Sequence, residues 1–271
     1  MYNTNMNILI TGGNGFIAQH LVNSLKDSHT VFAPGRNQLD CLNSNKVNKF
    51  FNDHTIDIVI HTALTGRENL FSTDIQYFND SITMWNNLYS NRSKFKKLIQ
   101  FGSAYELDLS RHNNNASLCD VLAQTPNSSY GKAKNKMAKM CMTTENFYTL
   151  RLFGNLHHTE KDFRFFKKLS TSTHFVINED RQFDYFNLED VITVVKVFID
   201  ETIEIRDLNL VYKDKLSLFE QVTLFCNVNK INPEIVVNST GFDLTGSSDN
   251  LLSLNLKLYG LVKGFEKYLI R

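Results

Sequence analysis

The sequence lacks the features that mark membrane, nucleic-acid-binding and disulfide-stabilised proteins. No run of about 18 apolar residues occurs in it, so no membrane-spanning helix is predicted. Its 29 Lys and Arg nearly balance 28 Asp and Glu, and without a long basic run there is no electrostatic footprint for nucleic acid or an anionic membrane. The polar N-terminus leads straight into a predicted strand, so we expect a cytoplasmic protein with a small-molecule ligand.

Cysteines are few and widely spaced. The chain has four, at Cys41, Cys119, Cys141 and Cys226, and no two have the Cys-x-x-Cys spacing of a zinc or redox motif. We therefore expect reduced thiols, without a disulfide framework and without a metal site. With 271 residues and 42% hydrophobic content, the chain can bury one large domain, or one domain with a small lobe.

Short aliphatic runs alternate with longer helical patterns through the first 150 residues. This alternation is typical of an α/β fold with a Rossmann-type, doubly wound parallel sheet. Strands are predicted at 7–11, 30–33, 57–61, 97–102 and 148–152, and helices near 15–27, 44–53, 73–91 and 130–145.

The pattern loosens beyond Gly154, where a small C-terminal substrate-binding lobe is expected. There we predict a helix near 160–170, strands near 174–177 and 183–186, and helices near 188–201 and 217–227. The segment 108–127 is rich in Asn and Ser and is interpreted as a loop.

A glycine motif follows the first predicted strand and opens the first helix. It reads Thr11-Gly12-Gly13-Asn14-Gly15-Phe16-Ile17-Ala18. Glycines let the backbone approach a pyrophosphate, the helix N-terminus offers oriented N–H groups, and the small Ala18 allows the helix to pack on the strand. The motif predicts dinucleotide binding, with contacts from Gly12, Asn14, Gly15, Phe16 and Ile17.

The end of the second strand indicates which dinucleotide binds. A carboxylate there would grip the ribose 2′-hydroxyl of NAD, but the segment ends in Ala33-Pro34-Gly35-Arg36. Arg36 is placed to bind the 2′-phosphate of NADP, although a solvated loop arginine is the alternative. Asp40 is better placed for the adenine amino group. NADP is therefore the expected cofactor.

Tyr130 and Lys134 are four residues apart at the start of a predicted helix, which puts both side chains on one face. A phenol acts as an acid near neutral pH when a nearby ammonium stabilises its phenolate and lowers its pKa. Ser103 follows the fourth strand and reaches the carboxyl edge of the sheet, where α/β folds bind ligands. We therefore expect a catalytic triad of Ser103, Tyr130 and Lys134 that acts on a carbonyl.

These motifs together resemble the extended short-chain dehydrogenase/reductase family, and the resemblance covers most of the chain. The segments 59–63, 150–155 and 184–191 also resemble family segments. The resemblance implies that residues 1–153 bind NADP and carry the triad. It implies that residues 154–271 mainly bind substrate, with some segments returning to the sheet. Further cofactor contacts that it implies are Cys41, Ala63, Asn79 and Phe153.

Within the family, the chain looks most like nucleotide-sugar epimerases, dehydratases and ketoreductases of surface-glycan synthesis. Gly154 and Phe183 stand where the family has an asparagine and a diphosphate-binding arginine, so Asn155 or Arg181 would substitute. The expected substrate contacts are Ala104, Tyr105, Asn155 and Arg181, with His157 and His158 as further candidates.

The resemblance also implies a homodimer through a four-helix bundle formed by the helices near 73–91 and 130–145. The apolar residues that could contribute to it are Met84, Trp85, Leu88, Met137, Met140 and Cys141. Packing in the core of the monomer explains some of them equally well.

The reaction is narrowed by comparison with family members. Dehydratases carry an acidic pair after the serine or threonine, and fucose-forming epimerase-reductases carry a cysteine two residues after it. Here Ala104 and Tyr105 occupy those places. A ketoreductase therefore remains, in which NADPH reduces carbon 4 of a nucleoside-diphosphate 4-keto-6-deoxysugar. An NAD-dependent nucleotide-sugar 4-epimerase, an epimerase-reductase and a non-catalytic NADP-binding regulator stay open as alternatives.

Overall fold

A computed structural model describes residues 5–65 and 74–269 of the chain. The predicted start of the third helix at residue 73 lies outside the described residues. Within them, no helix has both the length and the apolar character needed to cross a membrane.

Strands and helices alternate from the N-terminus. In chain order they are β1 (Asn7–Thr11), α1 (Phe16–Leu25), β2 (Thr30–Phe32), α2 (Ser44–Asp53), β3 (Ile58–His61), α3 (Ile75–Tyr89), β4 (Lys97–Ser103), β5 (Asn113–Ala116), α4 (Leu118–Ala123), α5 (Ser129–Met142), β6 (Phe147–Leu152), β7 (Gly154–Leu156), α6 (Phe165–Thr171), β8 (His174–Asp180), β9 (Tyr185–Asn187), α7 (Leu188–Asp200), β10 (Asp207–Leu210), α8 (Leu218–Asn229), β11 (Glu234–Thr240), β12 (Leu244–Gly246), α9 (Asp249–Ser253) and α10 (Gly260–Glu266). Short 3-10 turns cover Arg92–Lys94 and Ala104–Glu106.

The main sheet of the described residues has six strands in the order β10-β6-β4-β3-β1-β2. The pairs β1–β2, β1–β3 and β3–β4 are parallel, and β3 is buried along its whole length because helices cover both faces of such a sheet. The expected α/β, Rossmann-type fold is confirmed. The chain winds to one side of β1 for β2 and to the other side for β3 onwards. This switch point is where such sheets bind ligands at the strand carboxyl ends.

The chain forms two compact units that are interleaved along the sequence. The first consists of Met1–Leu107, Val121–Arg151 and Val195–Leu208, and the second of Asp108–Asp120, Leu152–Val194 and Asn209–Arg271. The assignment of cofactor binding to residues 1–153 and of substrate binding mainly to 154–271 stays a prediction.

The core of the first unit lies where α3 and α5 pack against each other and the sheet. Five of the residues proposed for a dimer interface are buried in this core, and the sixth, Met140, packs against it; the five are Met84, Trp85, Leu88, Met137 and Cys141. For these five the alternative of core packing within the chain therefore holds, because their apolar surface is already covered. Contact of the half-buried Met140 with a second protomer stays a prediction. The homodimer itself stays a prediction.

The second unit is built from three two-stranded parallel ladders, β8–β11, β5–β12 and β7–β9, with α6, α8 and α10. Its aromatic core includes Phe166, Phe225 and Phe265, all fully buried, with ring centroids 4.8–5.2 Å apart. The helix predicted near 160–170 begins only at Phe165, and β11, β12, α9 and α10 were not predicted.

The prediction of a loop over 108–127 is wrong, since this segment contains β5 and α4. The sequence of β5, Asn113-Asn114-Asn115-Ala116, has low strand propensity, and Asn115 has a φ of 50°. Pairing with β12 overrides that propensity: the Asn113 N–H donates to the Asp243 carbonyl at 2.8 Å, and the Asn115 N–H donates to the Thr245 hydroxyl at 2.9 Å.

Candidate active site

The glycine motif forms a tight turn at the switch point of the sheet. Gly12 has a φ of 70°, a conformation that favours glycine, and a Cβ there would lie 2.9 Å from the Cα of Ala63. A Cβ on Gly13 would lie 2.0 Å from the carbonyl oxygen of Ala33. Only glycine allows the turn to close against β2 and the segment after β3 in this way.

The first turn of α1 is left without a side-chain cap. Its N-cap is Gly15, which has no side chain to cap the helix, and no acidic residue lies in the turn. A helix of ten residues concentrates partial positive charge at such an end. Together with the glycine turn, this end of α1 suits a phosphate group.

A cavity of about 230 Å³ lies beside this turn within the first unit. Seven of the predicted cofactor contacts line it: Gly12, Asn14, Gly15, Arg36, Asp40, Cys41 and Ala63. Thr62, which belongs to the segment 59–63 named above, lines it too, as do Leu64 and Thr65, which were not predicted. Their position directly after β3, at the same sheet edge as the glycine turn, was the signal that could have found them.

Arg36 and Asp40 lie together at the mouth of the cavity. The Arg36 Nε is 3.7 Å from Asp40 Oδ1, and the arginine side chain is 65% exposed. An exposed guanidinium remains available to an anion. Cys41 is buried, burial raises the pKa of its thiol to about 12, and its carbonyl accepts from the Asn87 amide at 2.8 Å. It therefore shapes the cavity as a neutral side chain.

Four other predicted contacts lie elsewhere. Phe16 and Ile17 begin α1, and the Phe16 ring packs edge-on against His20 with centroids 5.0 Å apart. Asn79 is exposed on α3. Phe153 belongs to the second unit, where a Cβ on Gly246 would lie 2.8 Å from its ring. The described lining of the cavity includes none of these four.

The structure brings Ser103 and Tyr130 together. Ser103 ends β4, and Tyr130 lies in the first turn of α5, which Ser128 caps by accepting from the Gly131 N–H at 3.0 Å. The Ser103 side chain lies near enough to the Tyr130 phenol to lower its pKa through hydrogen bonding. A carbonyl oxygen near this pair could therefore accept from both groups.

Tyr130 lies among aromatic rings that keep its phenol neutral. Tyr105 and Tyr77 pack edge-on against its ring at centroid distances of 5.7 and 6.1 Å. Burial raises the pKa of Tyr130 above its ordinary value, and the hydrogen bond to Ser103 opposes this shift only in part. The direction is opposite to the lowered pKa expected from Lys134, because burial is the largest effect and the lowering comes from Ser103.

Lys134 lies one turn along α5 and is buried. Its ammonium donates to the carbonyl of Phe101, on β4, at 2.7 Å. Burial lowers the pKa of Lys134 to about 8, and the negative charge of Glu106 opposes this shift. Buried His61 lies near the same ammonium, and burial together with that charge lowers the pKa of His61 to about 3. Lys134 thus stays mostly charged near pH 7, whereas His61 is neutral.

Sequence reasoning missed Glu106. This fully buried carboxylate accepts the Ser103 N–H at 2.9 Å and the Arg151 Nε–H at 2.6 Å, and Arg151 also forms a bidentate pair with Asp207 at 2.6 and 2.7 Å. The Ser-x-x-Glu spacing from Ser103 to Glu106 forms a capping box, and this spacing was a signal in the sequence. Ala104, inside the box, is fully buried.

The remaining predicted substrate contacts lie in the second unit. Asn155, on β7, has a buried Oδ1 without a partner, and His157 packs against His158 with ring centroids 4.2 Å apart. Arg181 lines a separate cavity of about 700 Å³. Glu179, whose carboxylate is 3.9 Å from the Arg181 guanidinium, lines this cavity too, with two further acids, Asp180 and Asp243. The charge of this cavity does not single out an anion, and the role of Arg181 stays a prediction.

Comparison with protein families gives one match. The model described as the NAD dependent epimerase/dehydratase family matches residues 8–202, which include the glycine motif, Ser103, Tyr130 and Lys134. No curated protein matches the chain in sequence.

Solved structures share the fold over nearly the whole chain. One is a GDP-mannoheptose C4 reductase from Campylobacter jejuni with NADP bound, 20% identical with a TM-score of 0.82, and the match covers 98% of this chain and 97% of that one. A GDP-D-glycero-L-gluco-heptose synthase from the same organism, solved in the presence of NADPH, has 20% identity, a TM-score of 0.80 and coverage of 99% and 98%.

A third is a dTDP-4-dehydrorhamnose reductase from Bacillus anthracis in complex with NADP, 14% identical with a TM-score of 0.76 and 98% coverage of both chains. At these identities the similarity establishes the fold.

Proposed function

Because the chain belongs to the NAD dependent epimerase/dehydratase family, we propose that it uses NADPH to reduce a nucleoside-diphosphate 4-keto-6-deoxysugar to the 4-hydroxy sugar. The observation that carries this proposal is that Ser103, at the carboxyl end of β4, and Tyr130, in the first turn of α5, lie close enough to interact. We place the reaction in the cytoplasm, in the synthesis of surface-glycan precursors.

Tyr130 is the proposed acid. When bound, NADPH supplies the hydride for the carbonyl carbon. Tyr130 then gives its proton to the developing alkoxide, and Ser103 donates a hydrogen bond to the same oxygen. A phenol whose pKa is raised by burial is protonated at neutral pH, which is the state that reduction requires. The Lys134 ammonium supplies nearby positive charge as the phenolate forms.

The cavity beside the glycine turn supports NADP as the cofactor. The uncapped N-terminus of α1 suits the pyrophosphate, and the exposed Arg36 suits the 2′-phosphate. No carboxylate stands at the end of β2 to favour the ribose 2′-hydroxyl of NAD. The similar structures named above hold NADP or were solved with NADPH, which supports the same choice.

The residues after Ser103 support reduction rather than dehydration. Ala104 is fully buried and Tyr105 packs against Tyr130, so no acidic pair follows the serine. The nearest carboxylate along the chain, Glu106, is held by Arg151 and the Ser103 backbone. The names of the similar enzymes, which act on GDP- and dTDP-linked sugars, support a nucleotide-linked substrate.

The test is NADPH oxidation by the purified protein with GDP- and dTDP-linked 4-keto-6-deoxysugars. Loss of the proton donor in Tyr130→Phe should lower kcat about 10²–10⁴-fold while NADPH binding, followed by fluorescence, is retained. Tyr77→Phe is the matched control, since it removes a neighbouring phenol that is hydrogen-bonded to Thr65, and its kcat should stay within about tenfold. Wild-type kcat in Tyr130→Phe would contradict the role of Tyr130.

A nucleotide-sugar 4-epimerase or epimerase-reductase is the second candidate, favoured by the description of the matching family. Such an epimerase would retain its nucleotide and return it to the oxidised form in each cycle. Denaturing the purified protein and identifying the released nucleotide distinguishes the two. Stoichiometric NAD would favour the epimerase, and release of little nucleotide, or of NADP(H), would favour the reductase.

A further inference from the structure

We propose that Glu106 is a positioning residue for this reaction: its carboxylate, fixed by Arg151, holds Ser103 in place and sets a fixed negative charge beside Tyr130 and Lys134. The inference rests on the proposed function and adds to it a residue outside the Ser-Tyr-Lys set. It is carried by contacts within the first unit of the fold.

Glu106 contacts the backbone of the proposed catalytic serine. Its Oε1 accepts the Ser103 N–H at 2.9 Å, and the Ser103 hydroxyl accepts the Tyr105 N–H at 3.3 Å. These reciprocal bonds form a capping box that fixes both the backbone and the hydroxyl of Ser103. The sheet leaves room for this carboxylate only because residue 102 is glycine, since a Cβ there would lie 2.6 Å from Oε1.

Glu106 is also tied to the helix that carries Tyr130 and Lys134. The Asn135 side-chain amide, on α5, donates to the backbone carbonyl of Glu106 at 2.9 Å. Asn135 is the residue next to Lys134 and is itself buried. The same short segment therefore joins the end of β4 to the face of α5 on which the other two members of the triad lie.

The hydrogen bonds of Glu106, Arg151 and Asp207 indicate the net charge of this network. Burial raises the pKa of Glu106, and the charge and hydrogen bonds of Arg151 and the Ser103 N–H oppose this shift. Both oxygens of Glu106 accept from N–H donors, which is the arrangement of an ionised carboxylate, and both oxygens of Asp207 accept from Arg151. One cation is shared between two carboxylates, so the network carries a net negative charge. The charge of Asp207 is paired with Arg151 through two hydrogen bonds, whereas the carboxylate of Glu106 lies next to the triad.

Among the described groups that face Tyr130 and Lys134, Glu106 is the anion. The others are His61 from β3, Tyr77 from α3, Tyr105 and Cys141. Burial lowers the pKa of His61 to about 3 and raises the pKa of Tyr77 and of Cys141, so all three are neutral near pH 7, and tyrosines such as Tyr105 are ordinarily neutral there. The Glu106 charge raises the pKa of Tyr130 and of Lys134, whereas Asp207 does not act directly on either.

The experiment compares pH profiles of kcat for Glu106→Gln and Asp207→Asn, measured by NADPH oxidation. Each variant removes one carboxylate from the same buried Arg151, so both break an ion pair within one network. Activity requires protonated Tyr130 and Lys134 and is lost as the pH rises through their pKa values. Removing the negative charge lowers those values, so the alkaline limb of Glu106→Gln should move down by about one pH unit. The limb of Asp207→Asn should stay within about 0.3 units of wild type.

Glu106→Asp keeps the charge but shortens the side chain, and it serves if Glu106→Gln does not fold. Its kcat should fall because the Ser103 N–H loses its partner, while the alkaline limb stays in place. The inference would be overturned if the alkaline limbs of Glu106→Gln and Asp207→Asn lay at the same pH. It would also be overturned if Glu106→Asp had wild-type kcat or a shifted alkaline limb. None of these results would contradict the proposed function. No turnover by the wild-type protein with any of the keto-sugars would contradict the proposed function, and the inference with it.

Discussion

The first unit buries Glu106 between Arg151 and the backbone of Ser103, whereas the second buries Asp184 beside Lys215. Both acids pair with a cation and accept a backbone N–H. In the first unit that N–H belongs to a residue of the proposed active site. In the second it belongs to Gly246, which ends β12. The same chemical device thus positions a reactive hydroxyl in one unit and fixes a strand in the other.

The two networks also differ in how they are neutralised. Arg151 is fully buried and shared by two acids, so its loss would leave both without a cation. Among the described acids, Lys215 pairs with Asp184 alone, and it also donates to the Tyr212 carbonyl at 2.9 Å. Burial raises the pKa of Asp184 to about 6, so a proton can replace the lysine at little cost. Burial raises the pKa of Glu106 too, but two acids depend on Arg151, so the first network is the more sensitive to a missing partner.

Replacing the cation in each unit tests this difference and has the largest expected effect. Arg151→Met should lower the free energy of unfolding by about 3–5 kcal/mol, because it strands buried charge. Lys215→Met should lower it by about 1–2 kcal/mol, because Asp184 keeps the Gly246 N–H and can be protonated. Urea unfolding near pH 7 measures both. Equal losses would show that the two networks do not differ in this way.

Arg36 differs from the buried Arg151 of the same unit, because its side chain is exposed and can bind a ligand. Arg36→Ala should lower kcat/KM for NADPH about 10–100-fold, since a charge-assisted hydrogen bond contributes about 1.5–3 kcal/mol. Its kcat/KM for NADH should be unchanged. Arg92→Ala is the control, because Arg92 lies over the Tyr89 ring, away from the cavity. An equal loss with both nucleotides would contradict contact with the 2′-phosphate.

The smallest expected effect is a pH dependence of the unfolding free energy caused by Glu160, which lies in the second unit. Tyr268 donates to its carboxylate, and burial raises the pKa of Glu160 to about 7. The folded state thus favours the protonated acid, and this stabilisation is present below about pH 4.5 and is lost as the pH rises through about 7. The wild type should lose about 1 kcal/mol of unfolding free energy between about pH 5 and 8 relative to Glu160→Gln.

The control for this measurement is Glu179→Gln, which changes an exposed acid of the same unit. Its pH dependence should match that of the wild type. The same slope in all three proteins would exclude Glu160 as the source of the pH dependence.

The sequence predicts the parts of the site that are close along the chain. The glycine motif lies between one strand and one helix, and Tyr130 and Lys134 share a helix face by spacing alone. Contacts between distant segments could not be predicted in this way. Arg151 is 45 residues from Glu106 and 56 from Asp207, and no local pattern shows that the three meet.

The pairing of β5 with β12 was missed for the same reason. The Asn115 N–H and the hydroxyl that accepts it are 130 residues apart, and the asparagine-rich β5 has the composition of a loop. The direction of the Tyr130 pKa was also beyond the sequence, because it depends on how far the surrounding rings exclude water. Burial and long-range pairing are properties of the folded chain.

The central claim is hydride transfer from NADPH to carbon 4 of a nucleotide-linked keto-sugar. Its most direct test uses NADPH deuterated at carbon 4 of the nicotinamide, in each of the two stereospecifically labelled forms, with GDP- and dTDP-linked 4-keto-6-deoxysugars. The account predicts that one form places deuterium on carbon 4 of the product sugar, with one NADP formed per sugar reduced. Sugar turnover without deuterium at carbon 4, or without net NADP formation, would contradict it.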